Sequence, residues 1–201
     1  MVATSFRELV LTRRSVRMFR QDPVSPDLIG DLLTAVQWAP SPHNTQPWRF
    51  TILSESGRHR LATAMALALA RDLEAGGVPG REIARQTGRS RLRIASAPAA
   101  LLCSLSGDGL REYSDERLSA LEWQMAVQSV GGALQTLFLL AHERGLGTCW
   151  MAAPMYCPDD VRLALDLPAD EHPQALVLLG FPDQPGKVRA RRPFDEVVRH
   201  R

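Results

Sequence analysis

The sequence predicts an α+β fold for one domain over residues 1–201: a small mixed sheet surrounded by helices, one of them long and central. Three observations lead there. The runs PAALLCSL at 98–105 and QALVLLGFP at 174–182 are apolar without alternation, which predicts strands covered on both faces. Asp115 to Arg144 reads as a single helix that carries no charge from Trp123 to Ala141. No repeat, linker or low-complexity tract divides the chain, and 45% hydrophobic residues suffice for one core.

The elements follow in order. Phe6, Leu9 and Val10 sit at helical spacing between Ser5 and about Arg13, before the basic turn RRSVRMF. Ser25 is a cap, Pro26 suits the first helical position, and Leu28, Ile29, Leu32, Leu33 and Val36 form an apolar face that Pro40 closes. RFTILS at 49–54 predicts a short strand, and Gly57 to about Glu74 a helix ended by Gly76 and Gly77. The basic stretch GREIARQTGRSRLRIA at 80–95 predicts a helical or lid-like insertion bearing Arg81, Arg85, Arg89, Arg91 and Arg93. After the turn SGDG comes the long helix, with Gly145 at its end. LGTCWMAAPMYC is a loop or short strand, Pro158 opens a helix to about Leu165, and the tail GKVRARRPFDEVVRHR follows the last strand. At about 1.5 Å per residue the long helix spans ~45 Å. So few strands cannot cover it, which predicts a homodimer that buries it mutually.

Composition excludes several function classes. A net charge of +2 gives no basis for a nucleic-acid partner or an acidic membrane surface. The charge-free stretch contains Gln124, Gln128, Ser129, Gln135 and Thr136, so it predicts a buried helix rather than a membrane span. Cys103, Cys149 and Cys157 form no CxxC pair and no His lies at metal-ligand spacing. Reduced thiols, a cytoplasmic setting and no metal are expected. The N-terminal residues place charge inside a short apolar segment, and no secretion signal is expected there.

Arg13, Arg14, Ser15 and Arg17 gather three guanidiniums and a hydroxyl within five residues, donors that match phosphate oxygens. A solvated basic turn explains the same residues. Arg189, Arg191 and Arg192 form a second cluster, either converging on the first or lying in a basic tail. No GxGxxG turn, P-loop or GxSxG elbow is present. The five histidines are scattered, His43 alone lying among other polar candidates.

In WAPSPHNTQPWRF at 38–50, Pro40, Pro42 and Pro47 stiffen the backbone, while Asn44 and Gln46 carry amides suited to a heterocycle edge. Trp38 and Trp48 either stack on a ligand or fill the core. GLGTCWMAAP at 145–154 is Gly-rich, and its small residues would let a flat ligand approach the backbone.

In this order, RRSVRMF, WAPSPHNTQPWRF, the long apolar helix, GLGTCWMAAP, the strand ending in GFP and the RARRP tail resemble the nitroreductase family of FMN-dependent oxidoreductases. The resemblance implies that Arg13, Arg14, Ser15 and Arg17 hold the FMN phosphate and ribityl chain, with Arg189 and Arg191 as further phosphate contacts. It implies that Pro40, Ser41, Pro42 and Asn44 reach the flavin from the other subunit, with Gln46 beside them and Gly147, Cys149 and Trp150 lining the ring. Pro42 stands where many relatives carry a second Ser, so that hydroxyl's hydrogen bond is missing. The tail 185–201 is expected to reach the partner subunit.

The implied activity is hydride transfer from NADH or NADPH to a small organic acceptor such as a nitroaromatic, quinone or activated alkene, by a ping-pong route in which no side chain is a catalyst. Within the family, GVPGREIARQTGRSRLRIASAP and RGLGTCWMAAPMYCPDDVRLALDLP are similar to the flavin reductase domain of the deazaflavin-coenzyme glutamyl ligase, which reduces a dehydro precursor. A non-catalytic flavin-binding protein and a flavin-cleaving enzyme of cobalamin lower-ligand synthesis are the other readings.

Overall fold

The computed structural model describes residues 5–201; the expectation about an N-terminal leader falls partly on residues 1–4, outside them. Seven helices, α1 (Phe6–Thr12), α2 (Pro26–Val36), α3 (Glu55–Ala75), α4 (Gly80–Ala95), α5 (Glu116–Glu143), α6 (Pro158–Leu165) and α7 (Phe194–Val197), are described. Four strands accompany them: β1 (Trp48–Ile52), β2 (Ala99–Ser106), β3 (Gly147–Met151) and β4 (Glu171–Gly180). This is the expected α+β architecture.

The strands line up in the order β1-β2-β4-β3, so the two apolar runs are the central pair. Each is covered on both faces. Leu101, Cys103 and Leu105 join Val177 and Leu179 in a core with Leu32 and Val36 of α2 and Val130, Leu134 and Leu137 of α5. Ala100, Leu102, Leu176 and Leu178 point the other way, against Leu61 and Met65 of α3, Ile94 of α4 and Val161 of α6. Burying each such Leu or Val is worth roughly 1.5–3 kcal/mol. A charge at any of these positions would have no water on either side.

The sheet differs from the expected mixed one, because all three strand pairs are antiparallel. Among the described residues, its one parallel feature is a single bridge at the β3 edge, Ser15 to Thr148. A register shift between Cys103 and Ser104 accommodates Pro173, so β4 starts earlier than the apolar run suggests. The Ser54 hydroxyl accepts from Gly57 N at 3.1 Å, so α3 starts at Glu55 rather than Gly57.

Helix α5 organises the molecule. The Asp115 carboxylate caps it by accepting from Arg117 N at 2.8 Å and Leu118 N at 3.4 Å, and Gly145 leaves it with φ 75°. Its 28 residues span ~42 Å. One face, with Ala126, Val130, Ala133, Leu137 and Ala141, is buried in the core. The opposite face carries exposed Leu121, Gln124, Gln128 and Gln135 and half-buried Gly131, Gly132 and Leu139, none of them charged.

Candidate active site

Arg13 ends α1, donating its N–H to Leu9 O at 3.0 Å, and the chain then runs along the open edge of β3. There Val16 N donates to Thr148 O at 2.8 Å. Val16 lies so close that a Cβ at Gly147 would sit 2.7 Å from its own, so only glycine fits. The tail returns beside this turn: Arg20 N donates to Phe181 O at 2.9 Å and Asp183 N to Met18 O at 3.1 Å. A Cβ at Gly186 would collide with Arg14 Cβ.

This zipper brings the two basic segments together. Arg13, Arg14, Ser15 and Arg17 from the turn and Lys187, Arg189 and Arg191 from the tail line one cavity of about 260 Å³. No carboxylate lines it, and among the described residues none of the six cations is ion-paired. Burial first, then the charges of Arg14 and Arg191, lower the Arg13 pKa from its ordinary value. Arg14 Nη1 donates to Leu11 O at 2.6 Å and Arg13 O at 2.8 Å, which holds one nitrogen of its guanidinium against the turn. Such a cradle suits a dianionic phosphate, whose oxygens accept from several guanidiniums at once.

A neighbouring cavity of about 400 Å³ shares Arg13 and Arg14 and extends past Gly147, Thr148 and Gly186 to His142. His142 Nε2 lies 2.9 Å from Thr12 Oγ1. Burial, then Arg13 and Arg14, hold this imidazole below its usual pKa. The Cys149 side chain is buried in the core on the α3 side, where burial raises its thiol pKa, so only its backbone is available to a ligand. Trp150 is 44% exposed and meets Phe138 edge-on at 5.8 Å.

The 38–50 loop is preformed but lies elsewhere. Pro42–Asn44 make a 3-10 turn, and His43, Asn44 and Gln46 hold φ of 53°, 56° and 46°. Ser41 Oγ accepts from Gln46 N at 3.0 Å, pinning the loop. Three non-glycine residues in left-handed backbone cost about 1–3 kcal/mol each. Trp48 is core, 6% exposed, whereas Trp38 is 89% exposed. Pro40 and Asn44 are exposed, and no residue from Pro40 to Gln46 lines a cavity of the basic turn.

The reason is the length of α5. Thr45 lies near Gly109 in the turn before the helix, and Arg111 N donates to Glu122 Oε1 close to its start. The cavity that adjoins the basic cradle reaches His142, twenty residues on. That separation is ~30 Å along the axis.

Residues 10–181 match the nitroreductase family. The chain belongs to the nitroreductase family. It is 31% identical over 203 residues to the 5,6-dimethylbenzimidazole synthase of Rhodospirillum rubrum, covering 97% of this chain and 89% of that one. A BluB-like flavoprotein from Clostridium difficile 630 superposes with a TM-score of 0.82 at 22% identity, over 98% of this chain and 99% of that chain. The FMN-dependent nitroreductase NfnB from Mycobacterium smegmatis, solved with NADPH, superposes at 0.74 with 21% identity, over 97% of each chain.

In this nitroreductase-family chain the structure thus gathers Arg13, Arg14, Ser15, Arg17, Arg189 and Arg191, with Gly147 alongside, and leaves Pro40, Ser41, Pro42, Asn44 and Gln46 apart from them. Lys187 was not singled out, though it precedes Arg189 and Arg191 in the same alternating pattern K-x-R-x-R. His142 and Gly186 were not singled out either. Nothing local distinguishes them, since their significance comes from packing against Thr12 and Arg14.

Proposed function

We propose that this chain is an FMN-dependent oxidoreductase that takes hydride from NAD(P)H and passes it to a small organic acceptor, a nitroaromatic, quinone or activated alkene, in two half-reactions at one site. The observation that carries the proposal is the convergence of six unpaired cations from two distant segments on one cavity without a carboxylate. Arg13, Arg14, Arg17, Lys187, Arg189 and Arg191 bind the phosphate, and Ser15 adds a donor for phosphate or ribityl oxygen. Gly147 lets Val16 close onto β3 and so holds the turn that carries these arginines in place. Hydride acceptance and donation are what FMN supplies when bound.

The second half of the site comes from a partner copy. An isologous pair of antiparallel α5 helices, packed through the uncharged Leu121, Gln124, Gln128 and Gln135 face, sets the cradle end of one chain beside the loop end of the other. Pro40, Ser41, Pro42, Asn44 and Gln46 then line the ring from the partner. Ser41 Oγ, already accepting from Gln46 N, keeps its own proton free to donate. Pro42 offers shape without a hydroxyl. The tail, with Phe194 66% exposed and Val197 64% exposed, reaches across the same interface.

Anaerobic mixing with NADPH or NADH tests the activity: the flavin absorbance is expected to bleach with at least one of them and to return on adding a nitroaromatic or quinone. Bleaching by neither counts against it. A dehydro deazaflavin precursor is one further acceptor to offer in that assay. The synthase relative, 31% identical over 97% of the chain, favours a second reading in which the bound flavin is itself consumed. Exposure of the reduced protein to oxygen separates the two, since recovery of the flavin spectrum supports turnover and its permanent loss supports consumption.

A further inference from the structure

Helix α4 carries five arginines, and they are not equivalent. Arg85 is taken up by Glu82, donating from Nε at 2.7 Å and Nη2 at 2.6 Å, with Gln86 Nε2 on the same carboxylate at 2.7 Å. Arg89 and Arg93, four residues apart and therefore on one face, have no ion-pair partner among the described residues. That face meets the end of the basic turn, Arg17 to Phe19.

Between them lies a cavity of about 380 Å³ lined by Arg17, Arg89, Arg93, Met18, Leu92 and Asp183, among others. Three guanidiniums there face one carboxylate, so the space stays electropositive and a bound anion would offset their mutual repulsion. It also offers unfilled apolar surface, with Leu92 68% and Met18 54% exposed. Gln21 Nε2 donates to Ser96 O at 3.4 Å and ties the two walls together. Arg17 lines both this cavity and the phosphate cradle, so the two adjoin. The cavity is nevertheless distinct, since the cradle has five cations that this cavity does not share, and Arg89 and Arg93 line only this one of the two.

We infer that the cavity between α4 and Arg17–Phe19 binds the anionic group, phosphate monoester or carboxylate, of a partly apolar second ligand that visits the flavin site. The inference rests on the proposed flavin reading for the word "second", and on the cavity itself for the anion. The group comes either from a donor bearing a 2′-phosphate or from an acidic acceptor.

Calorimetric titration of the FMN-loaded, oxidised protein distinguishes the sources, with NADP⁺ against NAD⁺ and 4-nitrobenzoate against 4-nitrobenzamide as matched pairs. In the double variant Arg89→Ser/Arg93→Ser, the preference for the charged member of at least one pair is expected to fall by about tenfold. A fall for NADP⁺ assigns the site to the donor phosphate, and a fall for 4-nitrobenzoate assigns it to an acidic acceptor. Equal changes within both pairs, no change, or failure of the unaltered protein to bind either anion overturns the inference. Binding is read without turnover, so a protein that binds these anions but transfers no hydride would sink the proposed function and leave this inference standing.

Discussion

Gly147 and Val16 show how much of the site depends on single atoms. Because a Cβ at 147 would lie 2.7–2.9 Å from all three Val16 side-chain carbons, Gly147→Ala must push the basic turn off β3. We expect a loss of about 1–3 kcal/mol in unfolding free energy, as for other overpacked sites, with partial recovery only in Gly147→Ala/Val16→Gly, since alanine at 16 would keep the Cβ that clashes most closely. Chemical denaturation of the four proteins checks it. His142 makes a pH prediction. Its folded pKa is depressed below 6.5 by burial, Arg13 and Arg14, so unfolding takes up a proton once the pH drops below the unfolded value. Stability is therefore intact above about pH 6.5 and is lost as the pH falls through the lower folded pKa. His142→Gln should flatten that part of the profile between about pH 5 and 8, and an identical profile would contradict it. At this scale the sequence showed residue types but not company. The arginines of RRSVR were visible, whereas the His142 imidazole beside them lies at the far end of a different helix.

At the scale of elements, local signals were strong wherever one residue sets a boundary. Ser25 and Asp115 mark helix starts that the structure keeps, with hydroxyl and carboxylate as caps, whereas the Ser54 cap lies ahead of the start expected at Gly57. The two central strands were legible because burial on both faces leaves no polar alternation to confuse them. β3 was ambiguous for the opposite reason, since it is a short edge strand whose partner on one side is only a single bridge to Ser15. The 3-10 turn at Pro42–Asn44 was legible as stiff, but the departures to positive φ at His43, Asn44 and Gln46 accompany the Ser41–Gln46 hydrogen bond, which no propensity encodes. Helix α5 yields the element-scale prediction. Gly132 lies midway along its uncharged face, and a Cβ there would meet nothing of its own chain within 4 Å. Gly132→Arg should leave the monomer folded yet bury a charge in the α5 pairing. Light scattering is expected to report a dimer for the unaltered chain and a monomer for the variant. A variant that stays dimeric would place the interface elsewhere.

For the whole molecule, the decisive feature is a meeting of segments about 170 residues apart in sequence, Arg13–Arg17 with Lys187–Arg191. Sequence could name both ends but not their distance, because the returning path depends on β4 and on the pairing of Arg20 and Met18 with Phe181 and Asp183. The same long-range geometry sets the 40–46 loop and the cradle toward opposite ends of α5, ~30 Å apart along its axis. The family match over 10–181 includes the basic turn and stops short of the tail that completes the cavity. Charge reversal in the cradle, Arg14→Glu or Arg17→Glu, should weaken FMN binding by about a hundredfold, because a buried phosphate would then face a carboxylate. The most direct test is titration of the purified protein with FMN, followed by its visible spectrum after desalting. The account predicts saturable retention of one FMN per chain by the unaltered protein and its loss in both charge-reversal variants. A protein that retains no flavin, or variants that hold it as tightly as the original, would contradict it.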